Sequence, residues 1–258
     1  MARERSKAGT DWRLWLTGAG GVAVFALVAV AAIHGYVFAL VCPQFRLSLD
    51  RREALTVTGM KNASPARVVR VFDVDFGRSI FTVPLAERRR RLLAIDWVED
   101  ASVSRIWPNR LVVRITERKP VAFVNLPQTI GGRRLLLIDR AGVLLEPPPQ
   151  SRFAFPVLSG IRETQSEAER RVRVQALLRL MEDLGQAARE VSEVNAADAE
   201  NLQVVTQVDG HAVELMLGDG NYGRRFQTFL AHYPEIRKRS EATVMFDLRL
   251  DDRITARN

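Results

Sequence analysis

The chain has 258 residues, 47% of them hydrophobic, enough for one or two domains with apolar cores. Its formal charge of +8 and pI near 10.4 point to an acidic partner, whether nucleic acid, an anionic membrane surface or an acidic protein, although so arginine-rich a surplus reads equally well as genomic bias. A single cysteine, Cys42, excludes an internal disulfide and cysteine-based zinc patterns, and the three histidines (His34, His211, His232) are too scattered for a metal site.

From Leu14 to Val41 the chain carries no Asp, Glu, Lys or Arg, and His34 is its only side chain that can take up charge near neutral pH. A bilayer core needs about 20 apolar residues per helix, so residues 14–41 are expected to span a membrane with length to spare for tilt. Trp12 and Trp15 stand at one border and Tyr36 near the other, as interface anchors do. Arg3, Arg5, Lys7 and Arg13 ahead of the span favour a cytoplasmic N-terminus, against Arg46, Arg51 and Arg52 beyond it. Two other readings compete. Ala29-Val30-Ala31 loosely fits a signal-peptidase site, but the apolar run continues past it. Cys42 would suit a lipoprotein signal, but Val41 is large for the position before the modified cysteine. An uncleaved anchor places the bulk of the chain outside the cytoplasm and demotes nucleic acid as the partner.

Beyond the anchor, "FRLSLDRREALTVTGM" reads as a strand, with alternation late in the run at Leu55 and Val57 and a turn at Gly59. Ser64 and Pro65 are suited to the N-cap and first position of a helix whose stripe is Val68, Val69 and Phe72. Pro84 opens a second helix lined by Leu85, Leu92 and the aliphatic stem of Arg88. Its run Arg88–Arg91 sweeps about 300° at 100° per residue, so it cannot form one phosphate-binding stripe and reads as a mostly solvated face. Residues 99–106 and 110–117 form a hairpin turning at Trp107-Pro108-Asn109, with Leu111, Val113 and Ile115 on one side. The order is β-α-α-β-β.

The pattern then changes. "PVAFVNL" is a strand and "RRLLLIDRAGVLLE" a hairpin turning at Ala141-Gly142, followed by a rigid Pro147–Pro149 loop. A long amphipathic helix follows, with Arg173, Ala176, Leu177, Leu180 and Leu184 at helical spacing and a capping box at Thr164-x-x-Glu167. Strands are expected around Val191, Val204 and Leu215, then a helix with Phe226, Phe229, Leu230 and Tyr233, a strand over 242–250 and a polar tail. Strands in runs with helices set apart define an α+β fold.

Candidate chemistry is sparse. Gly218-Asp219-Gly220-Asn221-Tyr222-Gly223 matches G-x-G-x-x-G between a strand and a helix. Too little chain follows for a dinucleotide-binding half-domain, so it reads as a strand-to-helix turn. No Ser-His-acid set or flagged carboxylate pair stands out, which argues against an enzyme, a cofactor or a metal. In the last strand, alternation puts Val244, Phe246, Leu248 and Leu250 on the core side and Thr243, Met245, Asp247, Arg249 and Asp251 on the other. So near the C-terminus it is expected at a sheet edge, where an extended partner can add a strand.

The ordered set of Leu55–Gly59, Ile95–Glu99, Ala101–Val103, "RIWPNRL" at 105–111, Glu117–Ala122, Leu137-Ile138-Asp139 with Gly142, Pro156–Gly160 and Asp247-Leu248-Arg249 resembles the bacterial division family FtsQ/DivIB. The resemblance covers residues 14–252. It implies a cytoplasmic tail (1–13), a transmembrane helix (14–41), a POTRA domain (45–117), an FtsQ-type mixed antiparallel β domain with flanking helices (118–252) and a polar tail (253–258). It also implies a scaffold, not an enzyme, at the inner membrane of the division septum. Its partners would be FtsB and FtsL, with FtsW and FtsI engaged indirectly. FtsB would dock at the C-terminal edge, on Tyr233, Thr243, Met245, Asp247, Arg249, Leu250 and Asp251, and Leu250 stands where some members carry an aromatic residue. The rival among binding modules is a POTRA-bearing envelope or secretion assembly factor, which should carry repeated modules and a barrel.

Overall fold

The computed structural model describes residues 12–128, 132–149, 151–239, 244–250 and 253–257. It begins with α1 (Trp12–Val41), a helix of 30 residues. Over Gly21–Val41 its mean hydropathy is 2.4 and none of it is buried in the fold, so it is long and apolar enough to cross a membrane.

The chain divides into two compact units. The first takes in the chain through Thr58, then Pro65–Leu92 and Ala101–Arg114; the second takes Gly59–Ser64, Leu93–Asp100 and everything from Ile115.

Where a single long strand was expected, a helical turn α2 (Arg51–Ala54) comes first and only Leu55–Thr58 forms β1. Asp50 is the reason: its carboxylate accepts the Arg52 N–H at 2.9 Å and turns the backbone into a helix start. α3 (Pro65–Arg70) and α4 (Leu85–Leu93) follow, then β2 (Val98–Ile106) and β3 (Arg110–Glu117). The sheet order is β1-β3-β2, with β1 parallel to β3 in the register Leu55↔Leu111. Val68, Phe72, Ile80, Leu92, Leu111 and Val113 are fully buried, which matches the alternation and helical spacing read from the sequence.

The Arg88–Arg91 run is mostly solvated, as expected, with Arg89, Arg90 and Arg91 exposed and Arg88 turned inward. Arg88 is buried, with its side chain 4% exposed, and makes two hydrogen bonds to Asp75, Nε to Oδ2 at 2.6 Å and Nη2 to Oδ1 at 2.9 Å. Arg91 turns back to Glu87 one helical turn earlier, and Arg89 donates to the Ala101 carbonyl at 2.7 Å. At 100° per residue only one of the four can point inward, and that one brings its counter-ion.

The second unit comprises β4 (Pro120–Gln128), β5 (Gly132–Asp139), β6 (Leu144–Leu145), β7 (Val157–Ser159), α5 (Glu167–Leu184), β8 (Val191–Asn195), β9 (Leu202–Val208), β10 (His211–Gly218), α6 (Tyr222–Arg239), β11 (Met245–Asp247) and β12 (Thr255–Arg257). Its strands lie in the order β12-β11-β10-β9-β8-β7-β4-β5-β6, mostly antiparallel, with parallel pairs at β10–β11, β7–β8 and β4–β7. The molecule is thus an α+β protein with an apolar N-terminal helix, a three-stranded sheet with short helices and a mixed β domain. The apolar stripes of α5 and α6 are buried with one face of the large sheet; Leu136 and Ile138 of β5 join that cluster. Leu137 and Leu145 face a second cluster with Ala63 and Trp97, so β5 is covered on both faces only over its second half, from Leu136 to Asp139.

Trp97 is buried in the second unit, stacked on Phe153 at 6.3 Å with its Nε1–H on the Glu146 carbonyl at 2.8 Å. The indole takes this place because a carbonyl there satisfies its one donor.

The α5 capping box sits two residues later than expected. Ser166, not Thr164, receives the Glu169 N–H and Glu169 reaches back to Ser166, so the helix starts at Glu167.

Candidate functional site

β10, α6 and β11 form a crossover between adjacent parallel strands. Helical periodicity puts Phe226, Phe229 and Tyr233 on the buried face of α6, where Phe229 stacks against Tyr233 at 5.2 Å and Phe246 at 5.0 Å. The row Arg224, Thr228, His232 and Ile236, each four residues apart, runs from the exposed side of α6 at Arg224 to beside the buried stripe at Ile236. They line a cavity of about 310 Å³ whose other wall is Leu248, Leu250, Arg253 and Ile254 from the C-terminal segment. Ile236, Leu248 and Ile254 give it an apolar floor, and the exposed Arg224 and Arg253 outnumber Glu235 on its rim, while Arg225 is turned to the Leu217 carbonyl and Asp219.

The expected terminal strand is interrupted. Among the described residues of that run only Met245–Asp247 is strand, and it is not the edge: β12 pairs with it antiparallel in the register Met245↔Arg257, Phe246↔Ala256, Asp247↔Thr255. The supposed polar tail therefore supplies the last strand of the sheet. Inward, Glu214 N–H binds the Val244 carbonyl at 2.7 Å and Leu248 N–H the Met216 carbonyl at 2.9 Å. Phe246 and Leu248 are buried, but Val244 and Leu250 are 57% and 55% exposed, so the core-facing alternation holds only at its centre.

The expected docking residues divide accordingly. Met245 and Asp247 are half-buried, Arg249 and Leu250 are exposed, and Leu250 faces the cavity. Tyr233 is a correction: at 2% exposure it is a core residue rather than a surface flank. Arg249 is engaged within the chain, its Nε and Nη2 on the two Asp247 carboxylate oxygens at 2.9 and 2.7 Å and its own N–H on Oδ1 at 3.2 Å. Thr243 and Asp251 lie outside the described residues. Sequence reasoning missed the α6 flank and Arg253–Ile254; the four-residue spacing of 224, 228, 232 and 236 was the available signal.

The glycine motif at 218–223 is a turn. Asp183 already occupies the N-terminus of α6, its carboxylate accepting the Gly223 N–H at 2.8 Å. A Cβ at Gly223 would meet the Asp183 carbonyl oxygen at 2.6 Å, so this glycine serves close packing of α6 against α5. Among the described residues no group of His, Cys, Asp and Glu is placed to hold a metal ion.

Two family models match in chain order: "POTRA domain, FtsQ-type" over residues 51–118 and "Cell division protein FtsQ/DivIB, C-terminal" over residues 129–249. The chain belongs to the FtsQ/DivIB family. Among FtsQ/DivIB relatives, the cell division protein FtsQ of Koribacter versatilis (strain Ellin345) is 34% identical over 216 residues, 81% of this chain and 61% of that protein. The FtsQ of Geobacter sp. (strain M21) is 26% identical, over 81% of this chain and 76% of its own. The FtsQ of Rhodothermus marinus (strain ATCC 43812 / DSM 4252 / R-10) is 29% identical, over 97% and 89%. The chain thus spans 61% of the Koribacter relative's length. The FtsQ/DivIB match covers both the small sheet and most of the large one, and it ends at Arg249, before β12.

Proposed function

We propose that the chain is a scaffold of the division septum with no reaction of its own. α1 anchors it in the inner membrane, with the N-terminus in the cytoplasm and both units outside. Its docking site for FtsB, in complex with FtsL, is the outer edge of β12 together with the cavity beside α6. Through that complex it engages FtsW and FtsI. The observation that carries this reading is β12 itself: an outermost strand beside a cavity with an apolar floor and a cationic rim. An extended partner segment gains backbone hydrogen bonds along such an edge, while an apolar side chain and a carboxylate fit the floor and rim. Met245, Asp247, Arg249 and Leu250 frame the site, and Tyr233 supports it from the core. Thr243 and Asp251 fall in the same stretch of sequence.

Removal of residues 253–258 tests the proposal. The truncated chain is predicted to keep its cooperative melting transition and to bind the extracytoplasmic segment of FtsB about tenfold more weakly or worse, a loss of about 1.4 kcal/mol. Unchanged affinity with an intact fold would place docking elsewhere.

A further inference from the structure

The C-terminal end of α1 is followed directly by a 3-10 turn, Pro43–Phe45, within the first unit. Ser79 Oγ donates to the Ala39 carbonyl at 2.8 Å, satisfying one of the carbonyls that a helix end leaves open. Phe38 of α1 meets Phe45 at 6.1 Å, Phe45 meets Phe81 at 5.5 Å and Trp107 at 5.0 Å, and Phe81 meets Trp107 at 6.0 Å. Arg105 holds the turn carrying Phe81 in place, Nε on the Ile80 carbonyl at 2.8 Å and Nη2 on the Val83 carbonyl at 2.7 Å. Yet Trp107, the last ring of the chain, is 65% exposed, and its neighbour Ile106 is 42% exposed.

Helix length fixes the depth of this cluster. At 1.5 Å per residue the 30 residues of α1 measure about 45 Å, against about 30 Å of hydrocarbon and 40–45 Å with the headgroups. Its last turn, which contains Ala39, therefore lies in the headgroup layer, and the hydrogen bond from Ser79 brings the turn bearing Phe81 to the same level. Tryptophan is favoured at this depth because its ring takes the apolar side and its N–H the wet side. Arg46, Arg78 and Arg110, all exposed, stand next in sequence to Phe45, Ser79 and the Trp107–Asn109 turn, as lipid phosphates require.

We propose that the Trp107 turn, with Phe81 and Ile106, is a membrane-interface contact: it inserts among the lipid headgroups beside α1 and fixes the orientation of the first unit on the bilayer. This rests on the reading of α1 as a membrane span. The full chain carrying Cys42→Ser would be placed in nanodiscs of phosphatidylethanolamine and phosphatidylglycerol. Single nitroxide labels at Val28→Cys, Trp107→Cys and Glu200→Cys would then be compared for collision with oxygen, which concentrates in lipid, and with a water-soluble nickel chelate. The label at 28 reports the anchor, and the one at 200 an exposed site in the second unit. The expected oxygen-to-nickel ratio at 107 lies several-fold above that at 200 and below that at 28. A ratio at 107 equal to that at 200, with 28 shielded, overturns the contact while leaving the anchor standing. Water exposure at 28 overturns both. Shielding at 107 that appears only when FtsB and FtsL are added would assign the patch to a protein and overturn the lipid contact.

Discussion

Arg88 and Glu117 show how much of this chain's charge works inside the fold. Arg88 and Asp75 are both buried and satisfy each other in a two-point contact. Removing one partner strands the other's charge, so Arg88→Ala is predicted to cost about 3–5 kcal/mol in urea unfolding, whereas Arg88→Met combined with Asp75→Leu should recover most of it. Equal stability of the single variant and the unmodified chain would contradict the buried pair. Glu117 is the mirror case, an acid held by backbone. Its Oε1 accepts the N–H groups of Lys61, Asn62 and Ala63 at 2.7, 2.8 and 2.7 Å. Burial pushes its pKa up, but these hydrogen bonds outweigh burial and hold it below the ordinary glutamate value of 4.5. A depressed folded pKa gives stability that is complete above the unfolded value and lost as pH falls through the folded one. Glu117→Gln should therefore cost about 1–2 kcal/mol near pH 7, and the gap to the unmodified chain should close as urea titrations move from pH 5 towards pH 3. A gap independent of pH would show that the carboxylate charge contributes nothing.

At the scale of elements, the capping box gives a direct comparison of two candidates. Thr164-x-x-Glu167 and Ser166-x-x-Glu169 both satisfy the pattern, and only the latter has its reciprocal hydrogen bonds. Ser166→Ala is predicted to destabilise by about 1 kcal/mol and Thr164→Ala by a few tenths at most, read as melting temperature; the reverse order would put the helix start at the earlier box. The choice was not legible because a local pattern does not say which of two overlapping matches the chain can reach. The hairpin of β2 and β3 was legible to within a residue, since Leu111, Val113 and Ile115 alternate cleanly and are all buried. The C-terminal end was not. Alternation continues from Val244 to Leu250, yet β10 pairs only with Met245–Asp247 and the ends of the run emerge into solvent. Thr255–Arg257 carries little strand signal of its own, and it is a strand because β11 offers it a partner. The sheet edge was thus foreseen as a kind of feature and misplaced by one strand. Tyr233 erred in the same way: helical spacing grouped it correctly with Phe226 and Phe229, but which side that group faces is a tertiary fact.

Across the whole molecule, the organisation follows from a division of labour among apolar surfaces. α1 has no buried side in the fold over Gly21–Val41 and is suited to lipid. One face of the large sheet is covered by α5 and α6, and the Trp97 cluster covers the other face at Leu137 and Leu145, with β6 and β12 the outermost strands among the described residues. β6 is two residues long, while β12 lies beside the cationic cavity, so the open edge with a built neighbour is at the C-terminus. Hydrogen–deuterium exchange of the full chain in detergent or nanodiscs, with and without FtsB and FtsL, tests the central claim most directly. The amides of Thr255–Arg257 are expected to exchange fast alone and at least about tenfold more slowly in the complex, together with those at the cavity wall near Leu250. Protection appearing elsewhere, with Thr255–Arg257 unchanged on saturation, would contradict it.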